Sequence, residues 1–161
     1  MMGALLSGQC DVSVIQELQQ AGCQLGQVTN EGMTELMYGC WCRCSEEVLD
    51  YLVQQCGVSC VSEVSKAGWT GLMYGVWRGR KHVVEWYVNV CDKLGDGVTQ
   101  QVVNQQTECG VTALMIGSYE NRECVDNLFP IANVNMTNIY GQTALHVAAR
   151  GVRDEDWGMY N

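Results

Sequence analysis

The stretch Gly141-Gln142-Thr143-Ala144-Leu145-His146-Val147-Ala148-Ala149-Arg150, GQTALHVAAR, decides the fold. Its opening, Gly-x-Thr-x-Leu, occurs three more times: Gly32-Met33-Thr34-Glu35-Leu36, Gly68-Trp69-Thr70-Gly71-Leu72 and Gly110-Val111-Thr112-Ala113-Leu114. Glycine admits the positive φ of a tight turn. Threonine suits a helix N-cap, because its hydroxyl accepts a hydrogen bond from an orphan backbone N–H of the first turn. Each copy therefore predicts a turn followed by a helix capped at Thr34, Thr70, Thr112 or Thr143. The three earlier copies continue TELMYGC, TGLMYGV and TALMIGS, with Met at the place of His146 and Gly at the place of Ala148.

Two further landmarks recur with the first. An apolar residue and a small or polar one precede each turn glycine at fixed distance: Leu25-Gly26, Val61-Ser62, Val103-Asn104 and Val134-Asn135. A second helix shows one buried face in Val14, Ile15 and Leu18, then Val48, Leu49 and Leu52, then Val83, Val84 and Tyr87, then Cys124, Val125 and Leu128. Each triplet has the i, i+1, i+4 spacing of a single helix face. The intervals between the threonines are unequal, and the longest separates Thr70 from Thr112. The extra residues fall around NVCDKLGDGVTQQ, where a lengthened loop is expected.

TALHVAAR resembles the ankyrin signature Thr-Pro-Leu-His-x-Ala-Ala, and the other copies keep its Thr and Leu in register. The resemblance covers nearly the whole chain, with Ala21-Gly22-Cys23 standing where the family has Ala-Gly-Ala. It implies an all-α ankyrin-repeat solenoid of helix-turn-helix units joined by β-hairpin loops. The repeats would cover about 1–30, 31–66, 67–108 and 109–139, with a half repeat at 140–161, in one domain. It also implies a structural tether at His146. Gly39, Gly75, Gly117 and Ala148 would form a column of small residues that lets neighbouring first helices approach. Gly in place of Ala weakens a helix by about 0.5–1 kcal/mol, so moderate stability is expected.

The 161 residues are 47% hydrophobic and 17% charged, which marks a folding sequence rather than a disordered one. With a formal charge of -9 and no basic run beyond Arg78-Gly79-Arg80-Lys81-His82, nucleic acid is not the expected partner. No apolar run has the length of a membrane span. Met2-Gly3-Ala4-Leu5-Leu6-Ser7 fits a myristoylation acceptor at Gly3 if translation starts at Met2, although Leu5 and Leu6 suit a helix core better. The N-terminus lacks the features of a signal peptide. The expected setting is the cytoplasm, with the nucleus as an alternative.

Ten cysteines include the dense run GCWCRCSE, residues 39–46. On a continuous helix Cys40 and Cys44 share a face and Cys42 points elsewhere, so the three cannot close on one tetrahedral zinc. Cysteine as a small buried hydrophobe is the favoured reading. Cys56 and Cys60 are the better candidates for a local disulfide or half a metal site. His82 is expected in solvent, and neither histidine is brought to an exposed thiol as a base. No catalytic residue, cofactor or metal is assigned, and the chain is expected not to be an enzyme.

What the resemblance implies for function is a protein-interaction scaffold. Its partner, of unknown identity, would lie against the concave face formed by the hairpin tips and the first helices. Carried onto this sequence, that face holds Met33, Trp69, Val111 and Gln142 after the turn glycines. At the ends of the first helices it holds Trp41, Trp77 with Arg78, and Tyr119 with Glu120. The tips add Asn30, Glu31, Lys66, Ala67, Glu108 and Tyr140. Trp and Tyr dominate binding hot spots, although such rings also serve as packing. Two other functions fit the sequence: an oligomerising segment of a larger ankyrin protein, and a cysteine-based metal or redox sensor. The last repeat loses its second-helix face in GVRDEDWGMYN. Either the array continues, or Trp157, Met159 and Tyr160 cap it, or the open end self-associates.

Overall fold

In the computed structural model, residues 11–150 are described apart from Arg43 and Asn121. The expectations for Gly3, for Leu5 and Leu6, and for Trp157, Met159 and Tyr160 lie outside these residues.

The threonine caps form as the sequence requires. Thr34, Thr70 and Thr112 hydroxyls each accept from the N–H of Met37, Met73 and Met115, at 3.3 Å in all three. They open the inner helices α2 (Glu35–Trp41), α4 (Gly71–Trp77) and α7 (Ala113–Glu120). The fourth inner helix is α9 (Ala144–Arg150). There the Thr143 N–H and hydroxyl both meet Nδ1 of His146, at 3.3 and 2.8 Å, so this histidine ties down the turn. Met37, Met73 and Met115 occupy the same register but are buried in the core.

Outer helices α1 (Val12–Gln20), α3 (Glu46–Cys56), α5 (Lys81–Leu94) and α8 (Arg122–Val125) precede or follow the inner ones. Inner helices stack α2 on α4, α4 on α7 and α7 on α9, and the outer helices stack α1, α3, α5, α8 in chain order. Between them the second-helix face packs as read: Val48, Leu49, Leu52, Val83, Val84, Cys124 and Leu128 are fully buried. One polar contact joins each of the first two outer pairs, Tyr51 hydroxyl to Gln19 at 2.7 Å and Trp86 indole N–H to Asp50 at 2.8 Å.

Four expectations are corrected. The residues around NVCDKLGDGVTQQ are helical rather than a long loop. Helix α5 runs on to Leu94, and a separate helix α6 (Asp96–Val103) packs against both α5 and a 3-10 segment, Val58–Ser62. Gly95, at φ 109°, makes the break, and Val102 and Val103 anchor α6 in the core. Secondly, α2 ends at Trp41, so Cys40 and Cys44 do not share a helix; Cys44 reaches the core from the loop ahead of α3. Thirdly, the small-residue column relieves crowding chiefly within a repeat. A Cβ on Gly39 would lie 2.8 Å from Leu49 of its own outer helix, and one on Gly117 2.8 Å from Val125. Lastly, the exposed His82 is not simply solvated, since its Nε2 lies 3.3 Å from the Cys44 carbonyl.

The projecting loops are hydrogen-bonded turns, and no strand occurs among the described residues. Thr29, Ser65, Thr107 and Asn138 N–H groups donate to the carbonyls of Met33, Trp69, Val111 and Gln142 at 2.9–3.0 Å. The side chain of the same four residues accepts the return N–H at 3.0–3.2 Å. Adjacent fingers are sewn together by Lys66 N–H to Glu31 O at 2.9 Å, Glu108 N–H to Ala67 O at 3.3 Å and Ile139 N–H to Cys109 O at 3.1 Å. That closeness explains the turn glycine: at Gly110, φ is 74° and a Cβ would sit 2.9 Å from Asn138 Cα.

Candidate interaction groove

Inner helices α2 and α4 carry the same face in register. Tyr38 and Trp41 lie three apart on α2, as Tyr74 and Trp77 do on α4, which puts each pair on one side of its helix. Because α2 stacks on α4, the two pairs merge. Trp41 stands 5.7 Å from Tyr38, 6.2 Å from Tyr74 in a stacked arrangement and 6.3 Å from Trp77, centroid to centroid. Trp69, at the base of the second finger, closes the cluster at 5.1 Å from Tyr74 and edge-on to Trp77 at 5.8 Å. Such separations are the favoured ones for aromatic pairs.

These rings floor a groove of about 520 Å³ whose walls are the finger residues Asn30, Glu31, Lys66 and Ala67. Trp41, Trp77, Tyr38 and Tyr74 are half-buried and keep an open edge, whereas Met33 and Trp69 are buried beneath them. Arg78 is exposed beside Trp77, its guanidinium carbon 6.0 Å from the ring centroid. Burial pushes the Tyr74 phenol up from its usual range, so it stays a hydrogen-bond donor, directed at the Ser65 hydroxyl 3.4 Å away. The rim carries opposite charges, Glu31 on the first tip and Lys66 on the second. Apolar rings that are already packed on each other lose little side-chain entropy when a ligand covers them. The arrangement suits recognition of an apolar or amphipathic surface.

Of the residues singled out in the sequence, Met33, Trp41, Trp69 and Trp77 meet in this groove, with Arg78 beside it. Val111, Tyr119, Glu120 and Gln142 belong to later repeats and do not line it. Val111 is buried, Tyr119 half-buried and Glu120 exposed, and Gln142 receives the Asn138 side-chain amide at 3.0 Å. Tyr38 and Tyr74 were missed. The repeated Met-Tyr-Gly triplets carried the signal, one helical turn before the tryptophans. Cys56 and Cys60 are free thiols and do not bridge to each other. Cys40, Cys44, Cys60, Cys91 and Cys124 lie in the core, as the small-hydrophobe reading requires.

Among the described residues no helix is long and apolar enough to cross a membrane. No curated protein matches the chain in sequence. A family model of ankyrin repeats, in three copies, matches residues 72–155, more than half of the chain. The match begins inside α4, but α2 and its finger repeat the caps, turn bonds and aromatic pair of α4 and its finger. Ankyrin arrays generally mediate protein–protein interaction and are typically without catalytic activity. Caps, fingers, stacked helix pairs and the family match agree: the chain belongs to the ankyrin-repeat family.

Proposed function

We propose that the chain is a protein-interaction scaffold whose partner docks in the groove floored by Trp41, Trp77 and Tyr74. The observation that carries this reading is the aromatic cluster itself: half-buried rings, held in place by one another, open between two finger tips. The partner would present an apolar or aromatic anchor to the rings and polar groups to Glu31 and Lys66. The remaining residues of the face, Arg78, Val111, Tyr119, Glu120 and Gln142, would extend the contact along the array. Thiols used as core hydrophobes, as at Cys40, Cys60, Cys91 and Cys124, suit a reducing compartment, the cytoplasm above all. A photo-crosslinking residue at Trp77 should capture the partner in cells, while the same residue at exposed Asp50 on the outer face should not. Capture from both positions, or from Asp50 alone, overturns the reading.

A second reading is end-on self-association. Leu145, at the register of the buried Leu36, Leu72 and Leu114, is 78% exposed, and Ile139 and Tyr140 are exposed nearby. Sedimentation of the intact chain tests it: a monomer at all concentrations sinks the idea.

A further inference from the structure

Glu35 is a buried acid whose second oxygen finds no donor among the described residues. Its residue is 2% exposed. Oε1 accepts the Gln27 N–H at 3.3 Å, and Oε2 has no hydrogen-bond partner among the described residues. Buried polar atoms in native proteins nearly always find a partner, so such a group calls for an explanation.

Glu35 faces a cavity of about 430 Å³ between the first finger, the end of α3 and the 3-10 segment. That size lies within the range of small-ligand sites. The walls divide by character. Glu63 adds a second carboxylate, Cys56 and Cys60 add thiols, and Val28 and Val64 give an apolar mouth. The cavity shares no lining residue with the aromatic groove.

We propose that this cavity is a receptor site for an alkylguanidinium cation, its head between Glu35 and Glu63 and its stem against Val28 and Val64. The planar guanidinium presents several N–H donors in a fixed fork and carries a permanent charge, which suits an unpaired carboxylate oxygen. Its methylene stem covers apolar wall while the head stays polar. A thiolate-bound metal fits the site less well. Among the described residues no three acidic, His or Cys side chains converge to hold one. Burial first, then the charges of Cys56, Glu63 and Glu35, pushes the Cys60 thiol up to about 12, so it stays protonated near neutral pH. The cation comes either from an arginine side chain of another protein or from a free small guanidine.

Calorimetric titration of the full chain with n-butylguanidinium, with an arginine-centred glycine peptide and with its citrulline counterpart tests the site. The structure predicts one site for butylguanidinium or the arginine peptide and none for citrulline, which keeps the shape but not the charge. Glu35→Gln should weaken binding by about tenfold or more with an unchanged helical spectrum. A peptide that binds more tightly than butylguanidinium identifies the source as a protein arginine; the reverse identifies a free guanidine. No binding by the wild type, or equal binding by a folded Glu35→Gln, overturns the proposal. If Glu35→Gln fails to fold, Val28→Trp at a 61% exposed position fills the mouth instead. Unchanged binding in that variant also overturns it.

Discussion

Trp41 and Trp77 end the inner helices of adjacent repeats, and their rings lie 6.3 Å apart across the helix interface. Their spacing follows from the stacking of α2 on α4, so anything that shifts one helix against the other moves the groove. Stability of the array and shape of the site are therefore linked.

The finger glycines and the loop-filling helix respond in opposite senses to added side chains. Gly110→Ala forces a Cβ against Asn138 Cα at positive φ, and should cost about 1–3 kcal/mol. Gly97, in the first turn of α6, has open space around it and no positive φ, so Gly97→Ala should add about 0.4–1 kcal/mol. Urea denaturation of both variants checks the pair. A neutral Gly110→Ala would mean that the fingers are not packed as described.

One register position has two fates. Leu72 is fully buried between α4 and its neighbours, whereas Leu145 is 78% exposed on α9. Leu72→Ala should lower stability by about 2–5 kcal/mol, and Leu145→Ala by under about 0.5 kcal/mol. Comparable losses from the two, by thermal or urea unfolding, would show that another element covers Leu145.

Stability should fall in alkali. Burial holds the thiols of Cys60 and Cys91 up at about 12 and raises Cys40 and the Tyr87 phenol well above their usual range. A folded-state pKa above the unfolded one means that the native state holds its proton more tightly. The stability so contributed is whole below the unfolded thiol value of about 8.5 and is lost as pH climbs toward about 12. Urea midpoints should therefore drop between neutral pH and about pH 10. A flat profile would contradict the buried, protonated state of these groups.

Much of this was legible in the residues. Thr34, Thr70 and Thr112 are caps because a hydroxyl before a helix has one obvious use, and the second-helix triplets are core because periodicity exposes a face. The β-hairpin expectation reduced to turns because the backbone bonds that close a finger, such as Thr29 N–H to Met33 O and Gly32 N–H to Thr29 O, both involve one residue and build no ladder. Helix α6 was hidden because Gly95, Asp96 and Gly97 look like loop chemistry, while its burial of Val102 and Val103 depends on a partner distant in sequence. The aromatic groove was half legible. The tryptophans stood out, but Tyr38 and Tyr74, each one turn before a tryptophan, did not, and Tyr74 meets Trp41 only through the stacking of two helices. Glu35 gave no signal at all, since a carboxylate in a first helical turn ordinarily faces solvent.

The most direct test of the groove is the affinity of the crosslinked partner, once identified, for wild-type chain against Trp41→Ala/Trp77→Ala, with circular dichroism on both. The account predicts a folded double variant that has lost about 2 kcal/mol or more of binding free energy. A folded variant that binds as tightly as wild type would contradict it, and would leave those tryptophans as packing between repeats.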